Sequence, residues 1–334
     1  MPFPDPQLLE HVETPALIAD QGIVRFANAA ARAVLGGHIV GEDLRIAIRN
    51  PDAIATILAP QGGSVMVDGL SVRGSRWRLT CHVIADEARL VLLEDLSIRV
   101  SVARAHADFV ANASHELRTP LAAILGYVET LEDPKAGNDE EVRKRFLGII
   151  RHEARRMQAL IEDLMSLSRI EANKHEAPDD PVDLVEVARE CAGEFTGRAQ
   201  IVVETNCDSA VVAGDRSQLS QVIRNLIDNS VKYGKSDAPV DVSIETGAAG
   251  RVELIVRDHG EGILPEHLPR LTERFYRADA SRSRAAGGTG LGLAIVKHIV
   301  ERHRGRFDIS SRVGEGTSTS IILPLMREGP HVSS

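Results

Sequence analysis

The chain has 334 residues, of which 43% are hydrophobic, 26% charged and 3% aromatic, with three cysteines and a formal net charge of −9. The length predicts two or three domains, and the acidic balance argues against a nucleic-acid surface. No run of about 18 apolar residues predicts a membrane span, the N-terminus lacks the pattern of a signal peptide, and scattered cysteines favour reduced thiols.

Residues 1–97 alternate short apolar runs with glycine turns, which is typical of a small α+β domain. The first two runs flank Gly22 and predict a β-hairpin. A later run, RWRLTCHV, alternates with a period of two, whereas RLVLLE is a more fully buried strand. Strands are predicted at residues 16–19, 23–26, 76–83 and 89–94, and short helices at residues 28–35 and 52–58.

The pattern becomes helical over residues 98–172. Residues 133–137 break the helix, and Asn138 with Glu141 predicts a capping box for the next one. Each helix has one apolar stripe, so we expect the antiparallel hairpin to pair with a second copy into a four-helix bundle. The stripes follow coiled-coil spacing and consist of Leu117, Leu121, Ile124, Val128 and Leu131, then Ile150, Met157, Leu160, Leu164 and Leu167.

Residues 173–181 contain two prolines and three acids, which predicts a linker at 173–180 before a second mixed region. Alternating residues on either side of a turn at 247–250 predict an antiparallel hairpin. Residues 327–334 are expected to form a loose tail. Within residues 181–326, helices are expected at 183–196, 215–233 and 291–303.

The stretch FVANASHELRTPL, residues 109–121, places His115 beside the first apolar stripe and Pro120 five positions later. Proline lacks an N–H group and bends a helix, so it loosens the turn that carries His115 and Glu116. Neutral imidazole is a good nucleophile, Glu116 would accept its proton or hold its tautomer, and Thr119 faces the same space. Alternatively, His115 is a solvated surface residue and Pro120 a tolerated kink.

This stretch resembles the H-box of sensor histidine kinases, a His–Glu–x–x–Thr–Pro pattern. In that family the histidine takes a phosphoryl group from ATP, and the group then passes to an aspartate of a response regulator. The resemblance implies that His115 is the phospho-acceptor and Glu116 its general base. It also implies that Thr119 positions water when the same domain dephosphorylates the regulator.

A second polar cluster lies on the helix expected at residues 215–233, whose start Asp215 and Gln218 would cap. Such a face offers a metal ligand, a phosphate partner and a flat ring for a base, although a plain solvated face has the same pattern. The cluster is formed by Asn225, Asn229, Lys232 and Tyr233, at i, i+4, i+7 and i+8.

Two glycine-containing segments follow. Asp258 ends an apolar strand and suits the exocyclic amine of adenine, while Gly260 and Gly262 let the backbone approach a ligand; an ordinary Asp-Gly turn is the alternative. The run GGTGLGL at residues 287–293 opens a helix, where exposed N–H groups suit phosphate. Residues 278–286 suit a mobile lid.

In this order, the segments resemble the N, G1, F, G2 and G3 boxes of the same family, whose nucleotide domain is a Bergerat-type α/β sandwich; a Walker A pattern is absent. The resemblance implies ATP and Mg²⁺ as cofactors, with Asn229 on the metal and Asp258 on adenine. Tyr233 would stack near the base, and Lys232 and Arg277 would meet phosphates. The implied nucleotide site comprises Asn225, Asn229, Lys232, Tyr233, Asp258, Gly260, Gly262, Arg274, Phe275, Arg277, Gly288, Thr289, Gly290, Leu291, Gly292 and Thr317. Ser230 and Thr272 depart from the usual residues without removing a functional group.

Residues 20–30 resemble the start of a PAS domain, and residues 94–97 resemble its exit into a helix. Trp77, Cys81 and His82 invite a flavin or haem interpretation, but residues of an alternating strand usually pack. We therefore expect this domain to transmit the signal of an upstream partner or to dimerise. We expect a cytoplasmic location. The alternatives are association with a membrane through partner proteins and the cytoplasmic part of a membrane sensor.

The expected fold class is multidomain α+β. Our interpretation is a homodimeric ATP-dependent histidine kinase whose partner is a cognate response regulator, and residues 126–131 and 167–171 resemble its phosphate-regulon branch. An ATP-driven clamp of the same superfamily would need no exposed histidine, and a non-catalytic PAS scaffold would need no glycine boxes. The expected domains are a PAS-like domain at 1–97, a dimerisation and phosphotransfer hairpin at 98–172, a linker at 173–180, an ATP-binding domain at 181–326 and a tail at 327–334.

Overall fold

The computed structural model describes residues 6–70, 75–84, 87–133, 138–173, 176–247, 250–278 and 288–326. The chain divides into two compact units, Met1–Ala111 and Asn112–Ser334. Most of the predicted helix break at 133–137, part of the linker, nearly all of the lid and the tail lie outside the described residues. Within the described segments, no helix combines the length and apolarity needed to cross a membrane.

The first unit is built on an antiparallel sheet of five strands in the order β2-β1-β5-β4-β3. The predicted hairpin, strands and helices of this region are confirmed. Strand β3 was not predicted because only one of its six side chains is buried, and α3 escaped notice because it has four residues. The elements are α1 (Pro6–Glu10), β1 (Ala16–Asp20), β2 (Ile23–Ala27), α2 (Ala29–Leu35), α3 (Leu44–Ala47), α4 (Pro51–Leu58), β3 (Gly63–Asp68), β4 (Arg76–Val83) and β5 (Ala88–Asp95).

Aliphatic side chains from the sheet and the short helices form the core of this unit. The alternation of β4 turns Trp77, Leu79 and Cys81 inward, where each is at most 4% exposed. Trp77 and Cys81 therefore pack, as the period-two pattern predicts. The fully buried Asn28 caps α2 by accepting the N–H of Ala31 at 2.8 Å.

Two long helices form a hairpin, α5 (Ser97–Glu132) and α6 (Glu140–Ala172), and Pro120 lies inside α5. The predicted cap at Asn138 is wrong by one residue. The side chain of Asp139 accepts the N–H groups of Glu141 and Val142 at 3.0 and 3.1 Å. A cap must lie directly before the first helical residue, and that residue is Glu140.

The rest of the second unit contains a mixed sheet in the order β11-β12-β10-β9-β7, in which only the β7–β9 pair is parallel. The antiparallel hairpin predicted around residues 247–250 is confirmed by the pairing of β9 with β10. The elements are β6 (Pro181–Asp183), α7 (Leu184–Gly193), β7 (Ile201–Thr205), β8 (Val211–Ala213), α8 (Arg216–Tyr233), β9 (Val240–Gly247), β10 (Arg251–Arg257), α9 (Gly292–Arg302), β11 (Arg306–Arg312) and β12 (Gly316–Pro324).

Helices α8 and α9 pack against each other and against this sheet. Helix α8 buries Leu219, Ile223 and Leu226, and α9 buries Ile295 and Ile299, each at most 1% exposed. Because the apolar face of α8 is used in this way, its polar face is left beside the N-terminus of α9.

Helix α6 also packs against α9, so the helical hairpin contacts the part of the second unit that contains the mixed sheet. We call this contact the docked arrangement. Leu160 and Leu167 of α6 are 3% and 0% exposed in it, whereas Leu121, Leu125 and Val128 of α5 are 46%, 54% and 40% exposed. The single chain therefore covers part of the second apolar stripe and leaves the α5 stripe partly open, with Leu121 and Val128 exposed.

Candidate functional site

A cavity of about 370 Å³ lies between α8, α9 and the sheet, and we call it the α8/α9 cavity. Ligand sites for small molecules usually enclose about 300–1,000 Å³, so its size suits a bound nucleotide. It gathers residues from Ala159 to Thr319, which are 160 positions apart in the sequence. Twelve of the expected nucleotide-site residues line it: Asn225, Asn229, Lys232, Tyr233, Asp258, Gly262, Arg277, Gly288, Thr289, Gly290, Gly292 and Thr317.

Four other expected residues do not line the cavity. Leu291 is fully buried as the residue preceding α9, and Arg274 forms an ion pair with Glu171 of α6. A Cβ on Gly260 would lie 2.4 Å from the carbonyl oxygen of Tyr233, so the close approach there is between two segments of the chain. Phe275, with a left-handed φ of 63°, donates its N–H to Gly290.

Asp258 is the most buried carboxylate of the cavity, at 6% exposure. Its Oδ1 accepts the N–H groups of Gly260 and Thr317 at 2.8 and 3.2 Å. Burial raises the pKa of Asp258, and these two hydrogen bonds oppose the shift. Because both hydrogen bonds end on Oδ1, Oδ2 is left for a donor in the cavity.

The polar face of α8 borders the cavity along its length. Lys232 forms an ion pair with Asp228 one turn earlier, Nζ to Oδ2 2.6 Å. Asn225 donates its Nδ2–H to the carbonyl of Gly292 at 3.4 Å, which ties α8 to the first turn of α9. Asn229 lines the cavity between these two residues. This face thus presents to the cavity the side-chain amide of Asn229 and the ammonium group of Lys232, which already pairs with Asp228.

The start of α8 is held by Asp215 and His303. Asp215 caps the helix, as predicted, by accepting the N–H of Ser217 and Gln218. Its own N–H donates to Nε2 of His303 at 3.0 Å, and Nδ1–H of His303 donates to the carbonyl of Ile299 at 2.8 Å. These bonds require neutral imidazole, and burial lowers the pKa of His303 accordingly.

Several lining residues escaped the sequence reasoning. Tyr276 could have been found from the FYR run, and its hydroxyl meets Nδ1 of His267 at 2.7 Å. Ala159 and Asp163 come from α6, and Asp163 is 126 residues from its partner Thr289, so only the docked arrangement reveals them. The additional lining residues include Ala159, Asp163, Asp228, Ile263, Leu271, Tyr276, Leu293, Ile309 and Thr319.

The three expected phosphotransfer residues lie on α5, outside the lining of the cavity. His115 and Thr119 are exposed, and the hydroxyl of Thr119 donates to the carbonyl of His115 at 3.2 Å. Oε2 of Glu116 lies 3.1 Å from Nη2 of Arg156 and 2.9 Å from Nη2 of Arg277. The docked arrangement therefore engages Glu116 with two guanidinium groups.

The residues present fit a nucleotide with phosphates. The glycine turn before α9 places backbone N–H groups at a helix N-terminus, a site that favours anions. Arg277 is 8% exposed, and its Nε has no hydrogen-bond partner among the described residues. The amide oxygen of Asn229 is a hard ligand of the kind that Mg²⁺ prefers. The cavity thus offers groups for a base, for phosphates and for the accompanying cation.

Sequence profiles of two families match the second unit and the end of the first. The His Kinase A (phospho-acceptor) domain matches residues 105–173. The histidine kinase-, DNA gyrase B- and HSP90-like ATPase family matches residues 214–327. The two matches cover the helical hairpin and the fold that contains the α8/α9 cavity.

Curated relatives are named as sensor proteins. The phosphate regulon sensor protein PhoR of Pseudomonas aeruginosa is 38% identical over 73% of this chain and 56% of its own length. The sensor protein kinase WalK of Staphylococcus saprophyticus is 32% identical over 95% of this chain and 54% of its own. The sensor-like histidine kinase SenX3 of Mycobacterium tuberculosis is 33% identical over 97% of this chain and 76% of its own. The chain thus spans about half the length of the first two relatives.

Solved structures give the same likeness. The Acinetobacter baumannii histidine kinase AdeS matches 64% of this chain and 98% of its own, with 27% identity and a TM-score of 0.51. The histidine kinase ThkA, solved with the response regulator protein TrrA, matches 96% of this chain and 98% of its own, with 18% identity and a TM-score of 0.50. At that identity the second match concerns the fold alone.

Proposed function

Because this chain belongs to the sensor histidine kinase family, we propose that it phosphorylates itself on His115 and passes the phosphoryl group to a response regulator. In the first step the bond between the γ-phosphorus and the β–γ bridging oxygen of ATP breaks, an N–P bond forms on His115, and ADP leaves. In the second step an aspartate oxygen of the regulator replaces the imidazole on phosphorus. The observation that carries the proposal is the α8/α9 cavity in the same unit as an exposed histidine.

The residues of the cavity divide the work of binding the substrate. Asp258 would accept the amino group of adenine on Oδ2, and Tyr233 would lie near the base. Asn229 would hold Mg²⁺, which offsets phosphate charge when bound. Lys232 and Arg277 would face the phosphates, aided by the N-terminus of α9. Thr317 supports Asp258 through its backbone N–H.

The phosphotransfer residues need a different arrangement of the second unit from the one described. His115 does not line the cavity, and Arg277, which would meet phosphate, is 2.9 Å from Glu116. For transfer, the nucleotide-binding part must leave the docked arrangement and approach His115, a rearrangement typical of enzymes whose domains close on a substrate. Glu116, freed from Arg277, would then take the imidazole proton.

Radiolabelled ATP tests the proposal and its two rivals. Wild-type protein with Mg²⁺ is expected to gain label that is acid-labile and base-stable, and His115→Gln is expected to gain none. Because His115 is exposed, the variant should keep the wild-type melting temperature. Release of free phosphate without labelled protein would favour the ATP-driven clamp, and neither label nor hydrolysis would favour a non-catalytic scaffold.

We propose dephosphorylation of the regulator as a second activity, with Thr119 positioning the water. The hydroxyl of Thr119 is exposed and bonds within its own helix, so Thr119→Ala should leave the fold intact. Phosphorylated regulator incubated with this variant is expected to keep its phosphoryl group longer than with wild type, while autophosphorylation continues. Equal decay with both proteins would remove Thr119 from this role.

We also propose an oligomeric state, a role for the N-terminal domain, a signal and a cellular location. The open α5 stripe supports a homodimer through a four-helix bundle. The five-stranded α+β unit supports a PAS-like domain that receives the signal of an upstream partner. Similarity to PhoR supports a phosphate-responsive role, and the location proposed for this part of the protein is cytoplasmic.

A further inference from the structure

Asp163 is an acidic residue of the hairpin that reaches the α8/α9 cavity. It lies on α6, lines the cavity together with Ala159, and its Oδ2 accepts the hydroxyl hydrogen of Thr289 at 2.7 Å. Thr289 lies between Gly288 and Gly290, in the turn that precedes α9. A carboxylate oxygen thus takes the hydrogen bond that a phosphate oxygen would take from the same hydroxyl.

The charges around Asp163 make the docked cavity a poor site for phosphate. Both cations of the described lining are already paired, Lys232 with Asp228 at 2.6 Å and Arg277 with Glu116 at 2.9 Å. Asp163 adds a negative charge, and it forms no ion pair with a cation among the described residues. The described lining therefore has four carboxylates and two cations, namely Asp163, Asp228, Asp258, Glu261, Lys232 and Arg277.

The partly buried position of Asp163 also makes the docked cavity unfavourable for a phosphate group. Burial raises the pKa of its carboxyl group, the hydrogen bond from Thr289 and the charge of Lys232 oppose the shift, and Glu162 and Asp228 add to it. A second anion placed beside this carboxylate would be repelled strongly, because charges interact more strongly in a partly buried site than in water.

Other contacts hold α6 in this position independently of Asp163. Oγ of Ser166 donates to Oε1 of Gln221 on α8 at 2.8 Å. Glu171 forms an ion pair with Arg274, and Leu160 and Leu167 are buried. Asp163 is therefore carried into the cavity by a larger interface, and phosphates can take its place only if that interface opens.

We infer that Asp163 is a specificity-determining residue of the nucleotide site, which discriminates against phosphate charge while the hairpin is docked. The inference rests on the proposed function, because it assumes that the α8/α9 cavity binds ATP. Its consequence is that docking of α6 and binding of a nucleoside triphosphate exclude each other, whereas binding of the base alone does not.

Nucleotide binding by the full chain tests the inference. Asp163→Asn keeps an oxygen for the Thr289 hydroxyl and removes only the charge. Calorimetric titration with Mg²⁺ and a non-hydrolysable ATP analogue is expected to give about tenfold tighter binding than wild type, equivalent to about 1.4 kcal/mol, with adenosine affinity unchanged within about twofold. The matched control is Glu162→Gln, which removes the same charge from an exposed position outside the cavity. Because solvent screens an exposed charge, its affinity for the ATP analogue is expected to stay within about twofold of wild type.

The competition with docking has its own measurement. A Ser166→Cys substitution places a thiol at the α6–α8 contact, and the rate at which a maleimide labels it reports opening of the interface. The ATP analogue is expected to speed this labelling severalfold, while adenosine leaves it unchanged; Cys207, half-buried and distant in sequence from the interface, serves as the internal reference.

Two results would overturn the inference. One is equal affinity of wild type and Asp163→Asn for the ATP analogue, and the other is an equal gain for adenosine, which would assign the effect to loosened packing instead of charge. Failure of wild type and both variants to bind either ligand would remove the proposed function itself, and with it this inference.

Discussion

Exchange of Asp258 for asparagine should reverse the preference of the cavity for an amino group. Oδ1 of the new side chain can still accept the N–H groups of Gly260 and Thr317, which Oδ1 of Asp258 accepts at 2.8 and 3.2 Å. In place of Oδ2, however, an NH₂ group would face the cavity, and a donor would meet the amino group of adenine.

The size of the effect follows from the hydrogen bond that is lost. A hydrogen bond to a charged acceptor contributes about 1.5–3 kcal/mol, which corresponds to about 10- to 150-fold in Kd for ATP. Inosine triphosphate carries a carbonyl where adenine carries its amino group, so its affinity relative to ATP should rise in Asp258→Asn. Unfolding free energy should change by less than about 1 kcal/mol, because the backbone hydrogen bonds remain.

Asp258→Ala is the contrasting variant. It leaves the N–H groups of Gly260 and Thr317 without their acceptor, at about 1–3 kcal/mol for each buried group, so it should lower stability as well as binding. The assay is calorimetric titration with each triphosphate, paired with urea unfolding. Unchanged ATP affinity in a well-folded Asp258→Asn protein would refute the assignment of Asp258 to the base.

Three further predictions concern the fold around the site. Because burial lowers the pKa of His303, the unfolded chain binds more protons than the folded one, so the free energy of unfolding should fall as the pH drops below about 6.5 towards the folded pKa. The urea midpoint should therefore depend less steeply on pH in His303→Asn than in wild type. Equal slopes would contradict this. Gly262→Ala would place a Cβ 2.0 Å from the carbonyl oxygen of Arg312, at a residue whose φ is 71°. Thermal unfolding should therefore show that the variant loses at least about 1–3 kcal/mol of stability. A wild-type melting temperature would count against this prediction. Leu125 is 54% exposed and lies one turn after Leu121 of the α5 stripe, so a glutamate there is tolerated within one chain but not inside a four-helix bundle. Leu125→Glu should therefore halve the sedimenting mass, and an unchanged mass would argue against that interface.

The sequence by itself predicted most of the elements and the residues of the proposed site. Period-two alternation predicted the β9–β10 hairpin, and apolar spacing predicted α5 and α6, because both patterns are local consequences of backbone geometry. The polar face of α8 could be read for the same reason, since residues at i, i+4 and i+7 share one side of a helix.

Only the tertiary structure decided which of these groups meet. The parallel pairing of β7 with β9 joins segments separated by α8, and Asp163 reaches Thr289 across 126 residues. Contacts of this kind depend on how whole elements pack, and no local period encodes them. The sequence therefore predicted a phospho-acceptor histidine and a nucleotide site. The separation of His115 from the cavity in the docked arrangement, and the contact of Asp163 on the hairpin with the glycine turn, follow from long-range packing alone.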